Sequence, residues 1–173
     1  MAKRIFVALP ISASLEADIL AWEEKYARLP VRWLDGKNLH VTLVPPWYEE
    51  DVESVVRKLG TVRQGKFGMS FETVSFGLPG SPRLIWAEGV AGPDMIKLKD
   101  NVLKMTVAKP ENRPFRLHLT LARFRPEDFP RFPIKKINDR VDWQEEVSSF
   151  VLMESHLSRE GADYEVLQKF ELS

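Results

Sequence analysis

The chain has 173 residues, 44% of them hydrophobic, with 25 basic and 25 acidic side chains, three histidines and no cysteine. That length suits one domain with a well-buried core, and the missing cysteine excludes disulfides, thiolate metal sites and a thiol nucleophile. A formal charge of zero argues against strong non-specific binding to a polyanion, and three histidines without an H-E-x-x-H spacing argue against a histidine-rich metal site.

In chain order, the apolar run Ile5 to Leu9 is stopped by Pro10 and reads as a strand. It is too short for a secretory or membrane segment, so a cytoplasmic protein without membrane contact is expected, and the expected partner state is a monomer. A helix is expected from about Ser14 to Arg28, with Leu15, Ile19, Trp22 and Tyr26 on one stripe and Ser14 as its cap. The pentad Leu39-His40-Val41-Thr42-Leu43 alternates like a half-buried strand, with His40 and Thr42 on one face and Val41 and Leu43 on the other. Asp51 to Leu59 reads as a short helix and Met69 to Phe76 as a strand. Further on, Arg83 to Ala87 reads as a strand, and Asp94 to Met105 carries Met95, Leu98, Val102 and Met105 at helical spacing. Leu117-His118-Leu119-Thr120-Leu121 then repeats the histidine frame. Pro126, Pro130 and Pro133 forbid a regular helix and predict a long loop, before a last strand from Val147 to Glu154.

The two histidine frames lie 78 residues apart, and that offset also carries the first strand, helix and later strand onto their counterparts. One domain spanning 1–173 is expected, built from two repeats of roughly 1–80 and 81–173. The class is α+β: two pseudo-symmetric lobes of mainly antiparallel sheet with outer helices, and an active cleft between the lobes.

A single strand histidine is an ordinary core residue. Two of three histidines sharing the same following Thr and Leu would arise by chance about once in ten thousand or less at average residue usage. Paired across a cleft, His40 and His118 supply one group to give a proton and one to take it, with Thr42 and Thr120 as hydroxyl donors beside them. That set is what metal-free phosphodiester hydrolysis requires; which histidine gives and which takes is left open by the residues themselves. His156, in Glu154-Ser155-His156-Leu157-Ser158, lacks the Thr partner and reads as a surface residue. From Arg113 to Arg140 eight basic residues face three acidic ones, a solvated face or a stretch suited to a short phosphate-bearing strand.

The chain resembles the 2H phosphoesterase superfamily, and within it the RNA 2′,3′-cyclic phosphodiesterases once described as 2′-5′ RNA ligases. The resemblance rests on Arg4-Ile5-Phe6-Val7-Ala8-Leu9-Pro10, on Asn38 to Leu43, on Arg113 to Arg123, and on the tail Leu157 to Leu167 with its Gly161 and Tyr164. It implies hydrolysis of a 2′,3′-cyclic phosphate on an RNA 3′ end or nucleotide to a 2′-phosphomonoester, with no cofactor and no metal. It further implies His118 as general base and His40 as general acid. Thr42, Thr120 and Arg123 would hold the phosphate, and Arg83 and Tyr164 are further candidate contacts. After the first motif the family continues with a basic residue and Phe-Leu-Gly, whereas this chain has Val44-Pro45-Pro46-Trp47, making Trp47 a candidate for stacking on a base. The alternatives are ligation of 2′-5′ RNA ends and a non-catalytic RNA or nucleotide-binding module.

Overall fold

The computed structural model describes all of residues 1–173. In chain order the elements are β1 (Lys3–Pro10), α1 (Ala13–Glu23), β2 (Arg32–Trp33), β3 (His40–Glu49), α2 (Val52–Leu59), β4 (Phe67–Gly77), β5 (Leu84–Glu88), α3 (Pro93–Lys104), β6 (His118–Arg123), β7 (Asn138–Val147), β8 (Ser149–Ser158) and β9 (Gly161–Glu171). One sheet has the order β3-β1-β8-β9 and the other β2-β6-β5-β4-β7, and every neighbouring pair is antiparallel. The α+β class with two antiparallel lobes follows. Each lobe borrows from the other half of the chain: β8 and β9 complete the sheet of β1 and β3, while β4 completes that of β5 and β6.

The inward faces of both sheets and the three helices bury one continuous apolar core that includes Ile5, Val7, Leu9, Val41, Leu43, Ile85, Ala87, Leu119 and Leu121. Helix α1 contributes Leu15, Ile19 and Trp22. It begins one turn-step earlier than expected: Ser12, not Ser14, is the cap, and its Oγ accepts from the Leu15 N–H at 3.1 Å. Ser12 alone has the extended backbone that lets a side chain reach back to the first-turn donors. The α-helix also stops at Glu23, and residues 24–26 tighten into a 3₁₀ turn that aims Tyr26 at β7. There the Trp22 Nε1–H and the Tyr26 hydroxyl both donate to Asp139 Oδ2, at 2.9 and 2.8 Å. Asp51 caps α2 by accepting from the Ser54 N–H at 3.0 Å, and Pro93 occupies the first turn of α3, where its missing N–H costs nothing.

The proline-rich stretch after β6 is shaped rather than slack. Residues 126–131 form a 3₁₀ turn under an aromatic cluster of Phe76, Phe124, Phe129 and Phe132, with Phe124 and Phe132 centroids 4.8 Å apart. Lys135 Nζ donates to the Phe129 and Phe132 carbonyls and so closes the turn. No helix is long and apolar enough to cross a membrane.

Candidate active site

β3 and β6 approach each other where the two sheets meet. Along β3, His40 and Thr42 are partly buried and Val41 and Leu43 fully so, and β6 repeats the pattern with His118, Leu119, Thr120 and Leu121. Period-two alternation therefore aims both His-Thr pairs into the cleft and anchors their strands through the intervening residues.

Both strands then break the alternation at the same point. On β6 the register slips between the Trp86–Thr120 and Ile85–Ala122 pairs, leaving Leu121 as an extra residue. The bulge sends Ala122 to the core and returns Arg123 to the cleft face opposite Leu84. On β3 the slip between Ala8–Thr42 and Val7–Val44 leaves Leu43 extra, sends Val44 to the core, and brings Pro45 to the cleft. Pro45 thus stands where β6 offers Arg123.

The two imidazoles are held alike. His40 Nδ1–H donates to the Asn38 carbonyl at 2.8 Å and His118 Nδ1–H to the Arg116 carbonyl at 2.9 Å. Since a carbonyl only accepts, each neutral ring carries its hydrogen on Nδ1, and Nε2 is the working atom. Thr42 Oγ1 lies 3.1 Å from His40 Nε2 and donates to it when the ring is neutral.

Their surroundings differ. His40 packs against Phe6 (centroids 5.1 Å) and edge-on against Tyr164 (5.0 Å, 89°). That burial, against the partial support of the Asn38 carbonyl, pushes its pKa down to about 4, with the positive Arg123, and His118 whenever it carries a proton, acting in the same direction. His118 instead lies over Trp86, centroids 5.2 Å apart, beside the open part of the cleft. Tyr164 is positioned by Asn38, whose buried Oδ1 accepts the Tyr164 N–H at 3.1 Å while its Nδ2 donates to Asp163 at 3.3 Å. The β8–β9 turn that delivers Tyr164 places Gly161 at φ 117°, a conformation glycine adopts without strain.

Two cavities meet at the histidines and share Thr42, His118, Thr120 and Arg123 in their walls. The smaller, about 420 Å³, adds His40, Phe6, Tyr164 and Arg4. The larger, about 790 Å³, runs beside His118 between β5, α3 and the segment 111–117.

The structure therefore brings His40, His118, Thr42, Thr120, Arg123 and Tyr164 together. It does not bring Arg83 or Trp47 to either cavity. Arg83 is exposed at the start of β5, and Trp47 pairs with Ile5 on the core side of β3, its Nε1–H directed at Glu49 at 3.4 Å. Arg4 was not anticipated: it shares the cleft face of β1 with Phe6 and Ala8 and donates to Ser155 Oγ at 2.8 Å. The basic stretch divides. Arg113, Arg116 and Arg123 line the larger cavity, whereas Arg131 pairs with Asp128, Lys135 caps carbonyls, and Arg140 lies beside α1. His156 is half exposed, 3.0 Å from Glu165 and away from the cleft.

Two facing His-x-Thr strands in bilobal antiparallel sheets define a two-histidine phosphoesterase architecture, and the comparisons agree. The model of the 2′-5′ RNA ligase superfamily matches residues 12–159, and the chain belongs to that family. It is 27% identical to an RNA 2′,3′-cyclic phosphodiesterase of Archaeoglobus fulgidus, covering 97% of this chain and 99% of that protein. A protein of the same description from Aeropyrum pernix is 27% identical over 80% of this chain and 85% of its own. Among solved structures, E. coli LigT complexed with 3′-AMP superposes with a TM-score of 0.77 at 23% identity, covering 100% of this chain and 99% of that one.

Proposed function

We propose that the chain is a cytoplasmic, monomeric hydrolase that opens 2′,3′-cyclic phosphates on RNA 3′ ends or nucleotides, without a metal, leaving a 2′-phosphomonoester. The observation that carries this reading is the pair of imidazoles on strands from opposite sheets, each with Nδ1 tied to a carbonyl and Nε2 turned to the cleft. The names of the A. fulgidus and A. pernix relatives support the choice of substrate.

In this mechanism His118 Nε2 takes a proton from water as the water oxygen bonds to phosphorus. The bond from phosphorus to O3′ breaks, and His40 Nε2–H gives its proton to O3′. Thr42, Thr120 and Arg123 hold the phosphoryl oxygens as their charge grows. His40's dry aromatic surroundings leave it neutral in the free protein, so it becomes an acid only by gaining a proton with the substrate, whose anionic phosphate favours the imidazolium. The same reading treats 1–173 as one domain of two repeats, roughly 1–80 and 81–173. The equivalent bulge after each motif supports it.

The test is to offer oligonucleotides and mononucleotides ending in 2′,3′-cyclic phosphate in the presence of EDTA and to follow the products by phosphorus NMR. A 2′-phosphomonoester is expected. Formation of a 3′-phosphomonoester, or retention of intact cyclic substrate, would contradict the proposal.

A further inference from the structure

The larger cavity beside His118 contains a polar device that the hydrolysis above does not use. Arg116 lies two residues before His118, with buried Leu117 between them, so it shares the cleft face about 7 Å along the chain from the histidine. Its guanidinium carbon sits 5.0 Å from the centroid of Trp86, and its Nε forms an ion pair with Glu88 Oε2 at 2.6 Å. Trp86 itself is 6% exposed and packs against His118 as well. The arginine is therefore supported from beneath by a buried indole and fixed by a carboxylate, yet its side chain is 59% exposed toward the cavity. A lone surface arginine would be flexible and solvated; this one is preorganised.

Beyond the Arg113–Glu111 ion pair at its edge, the rest of the cavity wall is mostly apolar. Pro45, Val90, Ile96, Pro114 and Phe115 line it, and Val90 and Ile96 are 74% and 43% exposed at the cavity mouth. Leu78, also on the rim, is held at φ 65°, which non-glycine residues rarely adopt. A flat, weakly polar ring about one sugar's length from the phosphate position satisfies this arrangement: apolar walls take its edges and the guanidinium takes its face.

Resting on the hydrolase reading, we propose that Arg116, supported by Trp86 and Glu88, is the stacking platform for the nucleobase of the nucleotide whose phosphate lies between His40 and His118. Arg116 is thus a substrate-binding residue that gives the site its preference for a nucleotide over a bare sugar phosphate.

The test titrates adenosine 2′-phosphate and ribose 2-phosphate calorimetrically into the wild type, Arg116→Ala, Arg116→Lys and Ile96→Trp. The wild type should bind the nucleotide about tenfold or more tightly than the sugar phosphate, the range of one base stack. Arg116→Ala should bring that ratio close to one with the ribose 2-phosphate affinity kept. Arg116→Lys, which keeps the charge and loses the plane, should behave in the same way. Ile96→Trp, which fills the far wall, should lower only the nucleotide affinity. A wild-type ratio near one, a lysine variant that keeps the full preference, equal weakening of both ligands, or an unaffected Ile96→Trp would each overturn the proposal. If Arg116→Ala fails to fold, the other two variants decide it. Neither ligand needs turnover, so failure of the hydrolase reading shows separately, as uncleaved adenosine 2′,3′-cyclic phosphate with a protein that still distinguishes the two ligands.

Discussion

The burial of His40 ties stability to pH in a way that replacing one side chain isolates. Its pKa falls from an ordinary 6.5 to about 4 in the fold, so between those values the unfolded chain binds a proton that the folded chain refuses. Unfolding free energy must then rise with pH across the window, being fully present above about 6.5 and lost as pH falls toward 4. A gap of about 2.5 units at about 1.36 kcal/mol each sets a ceiling near 3.4 kcal/mol, and linkage gives about 2 kcal/mol of that lost at pH 5. His40→Asn keeps a donor for the Asn38 carbonyl but does not titrate. Glu23 acts in the opposite sense: burial raises its carboxyl to about 7, so it adds stability as pH falls through that value. The measured quantity is therefore the difference between wild type and His40→Asn, from urea unfolding at intervals between about pH 4.5 and 8. The wild type should lose about 2 kcal/mol more than the variant on going from pH 8 to pH 5. Parallel profiles would refute the claim that the ring is held neutral by its surroundings.

Three further outcomes are expected. Arg123→Ala removes a charged donor to the phosphate, worth about 1.5–3 kcal/mol, so kcat/KM on a cyclic nucleotide should fall roughly 10- to 100-fold in steady-state assays; an unchanged value would take Arg123 out of the site. Leu119→Ala empties a fully buried position between His118 and Thr120 and should cost about 2–5 kcal/mol in chemical unfolding; a loss below about 1 kcal/mol would mean that β6 is not anchored as described. Activity should survive exhaustive dialysis against EDTA, since the site uses two imidazoles as acid and base; loss of activity with recovery on adding one divalent ion would exclude that mechanism.

How much of this was legible follows from what period-two alternation can and cannot carry. It placed His40, Thr42, His118 and Thr120 on the cleft faces because each is flanked by aliphatic residues that must be buried. Unbroken alternation puts Trp47 on the face opposite His40, and the strand keeps it there only because the slip at Leu43 is followed by a second one between Val44 and Trp47. Arg123 has the wrong parity for the cleft, and only the bulge at Leu121 restores it; no single sequence marks such a slip. The Arg116–Trp86–Glu88 group was hidden because it depends on β5–β6 register, and Tyr164 owes its position to the buried Asn38 side chain, a contact across 126 residues. Ser12 displaced Ser14 as cap because both are good caps and only backbone geometry chooses between them. The proline-rich loop was expected, but its phenylalanine cluster required Phe76 from another strand.

The central claim is that both histidines perform the chemistry. Its most direct measurement is kcat/KM for His40→Ala and His118→Ala on a 2′,3′-cyclic-phosphate-ended substrate, with folding of each variant verified by circular dichroism. Each single replacement should lower the rate by about 10²- to 10⁴-fold while leaving the spectrum unchanged. A folded variant of either kind that stays within a few-fold of the wild type would contradict the two-histidine account.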